Sequence, residues 1–252
     1  MPNDEAVGSL STPLVVVIGE GPSDIQYLES PLKAYYSLKY GTKCKLIPLS
    51  DVTGMPHYTD EEIMKVFPTL VQNELAASKH KINEEVAKNI KEIIHIIDID
   101  EAFIDDSLIK EKKEKDKFFY TREGIEYWNP SIVKERNERK RRRIKLLRDR
   151  KTIEVFNYDI PYTILFFSIN IDDFHYEDAL NWSMEQKNAQ AALFARTNYY
   201  TKSKEERIAF FKSMFSKNPD GFPSTIEEAW DYVSKDNNCL KICSNVIYKI
   251  KD

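Results

Sequence analysis

The chain is poor in the residues that build several common kinds of site. Its three cysteines, Cys44, Cys239 and Cys243, are too few for the disulfide framework of a small secreted domain. Cys239 and Cys243 have no histidine near them in the sequence, so their spacing does not favour a zinc site. We expect both to be buried small residues on one helix face.

Long apolar runs, flexible linkers and nucleotide-binding loops are also missing from the sequence. No run approaches the length of a membrane-spanning helix, and residues 1–13 lack the basic and apolar regions of a signal peptide. We expect a cytoplasmic protein with no membrane contact, in which residues 1–13 form a flexible arm. Without a Walker A motif, we expect no ATPase activity of its own.

What the sequence does contain is an alternation of aliphatic and helical segments. The first, third and fourth aliphatic runs are nearly continuous, as in strands that are buried on both faces of a parallel sheet. The pattern predicts an α/β domain over residues 14–172, with an inserted charged and basic segment at about 101–151 and a helical C-terminal part over 173–252. The predicted strands are 14–19, 45–50, 92–100 and 162–170, and the helical patterns between them cover 23–40, 60–77 and 82–91.

Positive charge is concentrated in one predicted helix. Residues 134–151 hold eleven basic and three acidic residues, whereas the whole chain has a net charge of −4. Such a helix can attract a polyanion, and a solvated helix paired with the protein's own acidic surface is the alternative. The candidate nucleic-acid-binding residues are Arg139, Lys140, Arg141, Arg142 and Arg143.

Carboxylates follow three of the predicted strands. Glu20 comes after the first, Asp98 and Asp100 close the third, and Asp172 and Asp173 follow the fourth. Ligands of parallel sheets bind at the carboxyl ends of strands, and residues i and i+2 of an extended chain point to the same side. Because clustered buried carboxylates need compensation, the pattern predicts Mg²⁺ or Mn²⁺ and phosphoryl chemistry. The alternative is that some of these acids are helix caps.

The run GEGPSD, followed by a strand that ends in DID, resembles the Toprim domain of topoisomerases, bacterial primases, OLD-family nucleases and related anti-phage effectors. The resemblance covers about residues 14–105 and the fourth strand, and it implies a Toprim-like, mostly parallel sheet flanked by helices. It implies Glu20 as a general acid/base or metal ligand and Asp98 and Asp100 as metal ligands. It also suggests Asp24 as a further ligand, and Lys241 as a cation near the scissile phosphate. Asp172 completes the candidate metal ligands.

The absence of a zinc ribbon and the short chain favour a nuclease over a topoisomerase or a primase. The resulting expectation is a Mg²⁺-dependent nuclease that cleaves DNA or RNA in anti-phage defence. The resemblance further implies control by a partner protein such as an ATPase, and analogy suggests a homodimer.

Two other functions remain open from the sequence. One is a non-enzymatic Toprim-like sensor or binding module, which need not bind Mg²⁺. The other is a haloacid-dehalogenase-like phosphatase, in which Asp98 would be the nucleophile and Asp100 the acid/base. In that reading Ser168 would belong to the site, and Asp172 and Asp173 would hold the metal.

Overall fold

The central sheet forms from the aliphatic runs of the sequence. In the computed structural model, which describes residues 12–78, 81–113, 117–176 and 179–250, its strands lie in the order β2-β1-β3-β8-β7. Strands β1, β2, β3 and β8 are parallel, and β7 pairs antiparallel with β8. The bounds are β1 Leu14–Gly19, β2 Lys43–Pro48, β3 Ile90–Asp98, β7 Thr152–Val155 and β8 Tyr158–Phe167. The predicted α/β class, with a mostly parallel sheet flanked by helices, is confirmed.

Helices cover both faces of this sheet because alternate strand residues are apolar on both sides. Val16 and Ile18 of β1 pack with the first group of helices, and Val15 and Val17 pack with the second. The first group is α2 (Asp60–Ala77), α4 (Pro130–Asp149) and α8 (Ile226–Val233). The second group is α1 (Pro22–Tyr40), α5 (Ile171–His175), α6 (Met184–Asn198) and α7 (Lys204–Met214). The result is a three-layer α/β/α arrangement.

The segment between β3 and β7 contains more regular structure than its charged sequence indicates. Strands β4 (Ile109–Glu111), β5 (Phe119–Thr121) and β6 (Gly124–Tyr127) form a small separate sheet, and α4 follows it. The predicted helical pattern at 82–91 yields only the single turn α3 (Glu84–Ala87), because residues from Ile90 onward pair with β1. The hairpin between β7 and β8 turns at Phe156 and Asn157, which have φ angles of 50° and 66°, as a tight primed turn requires.

Three remaining expectations concern the amino-terminal arm, the cysteines and the membrane. The expected arm at 1–13 lies, except for Thr12 and Pro13, outside the described residues. Cys239 and Cys243 are buried as expected, but they do not share a helix face, since Cys239 lies in the short 3-10 turn Asn238–Leu240 and Cys243 follows it. Over the part of the chain that the structure describes, every helix is too short or too polar to span a bilayer.

Candidate metal centre

The carboxyl ends of three parallel strands bring acidic residues to one end of the sheet. Glu20 follows β1, Asp51 follows β2, and Asp98 and Asp100 stand at the end of β3. The chain leaves β1 for β2 on one side and reaches β3 on the other, so the sheet reverses its strand order here. Such a switch point leaves a crevice outside the strand ends, where ligands of α/β sheets bind.

Three of these acids form a compact group that could hold a metal ion. One carboxylate oxygen from each of Glu20, Asp51 and Asp100 lies within 4.8 Å of the other two. The Oε1 atom of Glu20 is buried and has no hydrogen-bond partner among the described residues. Burial, followed by the charge of Asp51, raises the pKa of Glu20 well above its ordinary value. This unsatisfied oxygen is the atom that a bound cation would compensate.

Asp51 is fixed by the loop in which it lies. Its Oδ1 accepts hydrogen bonds from the Thr53 backbone N–H at 2.9 Å and the Gly54 backbone N–H at 3.0 Å. A Cβ atom on Gly54 would lie 2.3 Å from the Asp51 Oδ2, so only glycine leaves this carboxylate its position. Burial opposes the ionisation of Asp51, but Lys140 and the loop hydrogen bonds outweigh it and lower the pKa to about 2.

A left-handed turn places Asp100. Asp100 and Glu101 have φ angles of 50° and 57°, a strained conformation for residues other than glycine. Strand β3 ends at Asp98, so Asp100 lies in this turn and not in the strand. The Asp100 backbone N–H donates to the Ile169 carbonyl at 2.9 Å, which anchors the turn to the chain that follows β8.

Two cations of α4 reach the acidic group from the side. The Lys140 ammonium is fully buried, and its Nζ lies 2.7 Å from the Asp100 Oδ2 and 3.3 Å from the Asp51 Oδ2. Arg136 donates to the Asp100 carbonyl at 3.0 Å and lies 3.2 Å from the Asp100 Oδ2. Burial would lower the pKa of Lys140, but Asp100, Asp51 and Glu20 outweigh it and raise the pKa, so the ammonium stays charged.

The donor set of this group fits a hard divalent cation. All three ligands are carboxylate oxygens, which Mg²⁺ and Mn²⁺ prefer, and the Glu20 Oε1 is unsatisfied. Lys140 compensates Asp51 and Asp100 from one side, and among the described residues no cation is hydrogen-bonded to Glu20. The resulting structure could hold a metal ion at Glu20, Asp51 and Asp100, which we call the acidic triad.

The other predicted ligands lie beside the triad in a second acidic group. The Asp172 Oδ1 accepts a hydrogen bond from the Tyr27 hydroxyl at 3.0 Å, and its Oδ2 lies 3.3 Å from the Lys187 Nζ. The Asp24 carboxylate accepts the Gly21 backbone N–H at 3.0 Å, which caps the start of α1. Burial, opposed by this hydrogen bond and reinforced by Asp172, raises the pKa of Asp24 to about 6.

Asp98 connects the two acidic groups and also caps a helix. Its Oδ1 accepts the backbone N–H of Ile171, the first residue of α5, at 3.1 Å. Burial, then the charges of Asp24 and Asp100, raise the pKa of Asp98 well above its ordinary value. Asp98 therefore lies next to the triad in an environment that favours its neutral form, while one of its oxygens holds α5.

The basic run of α4 faces inward at two of its five candidate positions. Lys140 and Arg143 are completely buried. Arg143 pairs with Asp60 at 3.0 Å and donates to the Met55 carbonyl at 2.7 Å. This burial corrects the expectation that Lys140 and Arg143 contact nucleic acid, because neither side chain is accessible to a phosphate.

The three remaining basic candidates also contact the protein itself. Arg139 donates to the Gly54 carbonyl at 3.4 Å, and Arg141 donates to the Ala102 carbonyl at 3.1 Å. Arg142 is exposed and pairs with Asp60 at 2.8 Å and with Glu138 at 2.9 Å. In this respect the helix matches the alternative in which it pairs with the protein's own acidic surface.

The described hydrogen bonds of the Lys241 side chain are with residues outside the triad. Its Nζ donates to the Asn238 Oδ1 at 2.7 Å, within its own loop. Ser168 is also engaged, since its hydroxyl donates to the Lys241 carbonyl at 2.6 Å and accepts the Cys243 N–H at 3.0 Å. Asp173 forms a two-pronged ion pair with Arg122 at 2.5 and 2.8 Å, which ties the small sheet to α5.

Sequence reasoning missed Asp51, Arg136 and the inward role of Lys140. Asp51 directly follows the second predicted strand, so the rule that selected Glu20 would also have selected it. No comparable local signal exists for Arg136 and Lys140, whose surroundings come from residues far apart in the chain. Comparison of the chain with protein-family models, with curated proteins and with solved structures finds no match.

Proposed function

We propose that this protein is a divalent-metal-dependent nuclease with a Toprim-like active site, and that Glu20, Asp51 and Asp100 hold Mg²⁺ or Mn²⁺. The observation that carries the proposal is the grouping of one carboxylate oxygen from each of Glu20, Asp51 and Asp100 within 4.8 Å, together with the buried, unsatisfied Oε1 of Glu20. The position of the triad at the switch point of a parallel sheet also supports it. The GEGPSD and DID motifs point to the same chemistry.

A metal at the triad would supply charge neutralisation at a phosphate and a water of lowered pKa. Glu20 is suited to hold or move a proton, because its raised pKa brings it toward neutrality. Lys140 and Arg136 hold Asp100 in place through contacts of 2.7 Å and 3.2 Å, so both act as positioning residues.

The same contacts disfavour the phosphatase alternative. A nucleophilic Asp98 must be ionised, but burial raises the pKa of Asp98 well above its ordinary value, and its Oδ1 already accepts the backbone N–H of Ile171 at 3.1 Å. Ser168, which that reading would use, is buried and hydrogen-bonded through both its proton and its oxygen. The non-enzymatic alternative is distinguished from the nuclease by activity, because a binding module would not cleave a phosphodiester bond.

A cleavage assay tests the proposal. The full chain is incubated with Mg²⁺ or Mn²⁺ and with duplex DNA, single-stranded DNA or tRNA, alongside Glu20→Gln and the exposed control Glu123→Gln. We expect metal-dependent cleavage of at least one substrate by the wild type and the control, and loss of cleavage in Glu20→Gln with unchanged thermal unfolding. Cleavage that survives Glu20→Gln, or no cleavage of any substrate with either metal, would contradict the nuclease.

A further inference from the structure

A cavity lies at the amino ends of the strands, opposite the carboxyl ends that carry the acidic triad. It has a volume of about 1080 Å³ and borders the amino ends of β1 and β2 together with α1, α7 and the chain before α3. We call it the edge cleft, because β2 is the outermost strand of the sheet. The six residues of β1 separate it from the triad by about 20 Å.

The edge cleft is strongly basic. Its lining includes six cationic side chains, Lys33, Lys43, Lys45, Lys81, Lys204 and Arg207, and Glu29 is its one carboxylate among the described lining residues. This concentration stands out in a chain whose net charge is −4. A concave surface of one charge focuses the electrostatic potential and attracts ions of the opposite sign. The occupant that the charge selects is therefore a polyanion.

The cations of the edge cleft stand on both of its walls. Lys43 is exposed on β2, and Lys204 is exposed at the start of α7, where its Nζ donates to the Ser37 hydroxyl at 2.9 Å. This hydrogen bond joins α7 to α1 at the cleft. Lys33 is partly neutralised by its ion pair with Glu29 at 2.6 Å. The four cations Lys43, Lys81, Lys204 and Arg207 thus remain for a ligand with several anionic groups.

An exposed aromatic ring adds a second kind of contact. Tyr200, between α6 and α7, lines the edge cleft and is 69% exposed, the most exposed of the large hydrophobic residues that the structure describes. Neighbouring Tyr199 is completely buried, so the two adjacent rings have different roles. An aromatic ring beside a row of cations is the combination that binds single-stranded nucleic acid, in which the ring stacks on an unpaired base.

We propose that the edge cleft binds a single strand of nucleic acid, with phosphates on the lysines and a base on Tyr200. A duplex fits less well, because its bases are already stacked and are not available to the ring. The binding goes beyond the nuclease proposed above, since it uses none of the acidic residues and needs no metal. The edge cleft takes the place of the inward-facing helix α4 as the nucleic-acid surface.

Fluorescence anisotropy in EDTA tests this proposal, because no cleavage interferes without metal. Labelled single-stranded oligonucleotides of several lengths are titrated with the full chain, with Lys43→Glu/Lys204→Glu and with Tyr200→Ala. The matched controls are Lys145→Glu/Lys235→Glu, an exposed pair with the same change of charge, and Tyr58→Ala. With four phosphate contacts, the affinity should fall with salt with a log–log slope of about −2.8, and the cleft pair should reduce this slope to about −1.4.

We expect the Lys43→Glu/Lys204→Glu pair to weaken binding about ten-fold or more and Tyr200→Ala about five-fold or more, with both controls within about two-fold of the wild type. Affinity should rise with oligonucleotide length. Three results would overturn the proposal: no measurable binding, equal weakening by the control pair, or competition by inorganic phosphate or a mononucleotide as strong as that of the unlabelled strand. Because these binding measurements need no metal, a negative result would contradict the edge-cleft proposal without bearing on the proposed nuclease activity.

Discussion

Replacing Lys140 with methionine removes the buried cation that compensates the acidic triad while nearly conserving the volume of the side chain. The Nζ lies 2.7 Å from the Asp100 Oδ2 and 3.3 Å from the Asp51 Oδ2. At an effective dielectric constant of about 20, these contacts are worth about 6 and about 5 kcal/mol of gross attraction, which the desolvation of three charged groups largely offsets. Breaking a buried pair from one side costs about 3–5 kcal/mol.

We therefore expect Lys140→Met to lower the free energy of unfolding by about 3–5 kcal/mol in EDTA. A divalent cation at the triad should restore part of this loss, because it supplies the missing positive charge. Mn²⁺ should also bind about ten-fold more tightly to the variant, since the repulsion between the ion and the ammonium is gone; this is about 1.4 kcal/mol. At 100 times the dissociation constant, bound metal adds about 2.7 kcal/mol of stability.

Urea unfolding with and without Mn²⁺, combined with calorimetric titration of Mn²⁺, measures both effects. The matched control is Lys145→Met, which removes an exposed lysine from the same helix and should leave stability and metal affinity unchanged. Equal stability of Lys140→Met and the wild type in EDTA, together with equal Mn²⁺ affinity, would refute the role of Lys140 as the counter-charge of the triad.

Two further predictions test a loop and a buried histidine. Gly54→Ala places a Cβ 2.3 Å from the Asp51 Oδ2 and should weaken Mn²⁺ binding, measured by calorimetry, at least about ten-fold. The control Gly21→Ala, whose Cβ would lie 3.9 Å from the Ser23 Oγ, should bind Mn²⁺ like the wild type. Equal affinities of Gly54→Ala and the wild type would contradict this role of Gly54. Burial, opposed by Asp51, lowers the pKa of His95 to about 3. Below about pH 6.5 the unfolded chain therefore binds a proton that the native state does not. The free energy of unfolding consequently falls as the pH falls. Between about pH 7 and pH 5, the free energy of unfolding measured in urea should fall by about 2 kcal/mol more in the wild type than in His95→Gln. Glutamine is chosen because it keeps a hydrogen-bond partner for the Tyr162 hydroxyl. Parallel pH profiles of the two proteins would exclude His95 as the source of this pH dependence.

The sequence predicted the large sheet well because its strands are buried on both faces. Residues 14–19 are uniformly aliphatic, and the observed β1 has the same bounds. The short strands of the small sheet and β7 carry charged and polar residues, so their hydrophobic pattern is too weak to indicate strands. The segment 82–91 contains a helical pattern that the structure uses for one turn only, because pairing with β1 starts at Ile90.

Strand order alone brings two of the predicted site residues together. Glu20 and Asp100 come together because β1 and β3 are neighbours. The prediction for Lys140 was wrong, because the burial of this side chain depends on Asp51 and Asp100, which lie far from it in the sequence. Charge content alone does not distinguish a solvated helix from one whose cations compensate buried acids.

Calorimetric titration of Mn²⁺ into the metal-free full chain, in parallel with Asp51→Asn, tests the acidic triad most directly. Asparagine conserves the shape of Asp51 and can still accept the loop hydrogen bonds through its Oδ1, so the fold should persist while a charged ligand is lost. The exposed Asp106→Asn is the control. We predict saturable binding by the wild type and the control, and affinity at least about ten-fold weaker in Asp51→Asn. No binding by the wild type, or the same affinity in Asp51→Asn, would contradict a metal centre at Glu20, Asp51 and Asp100.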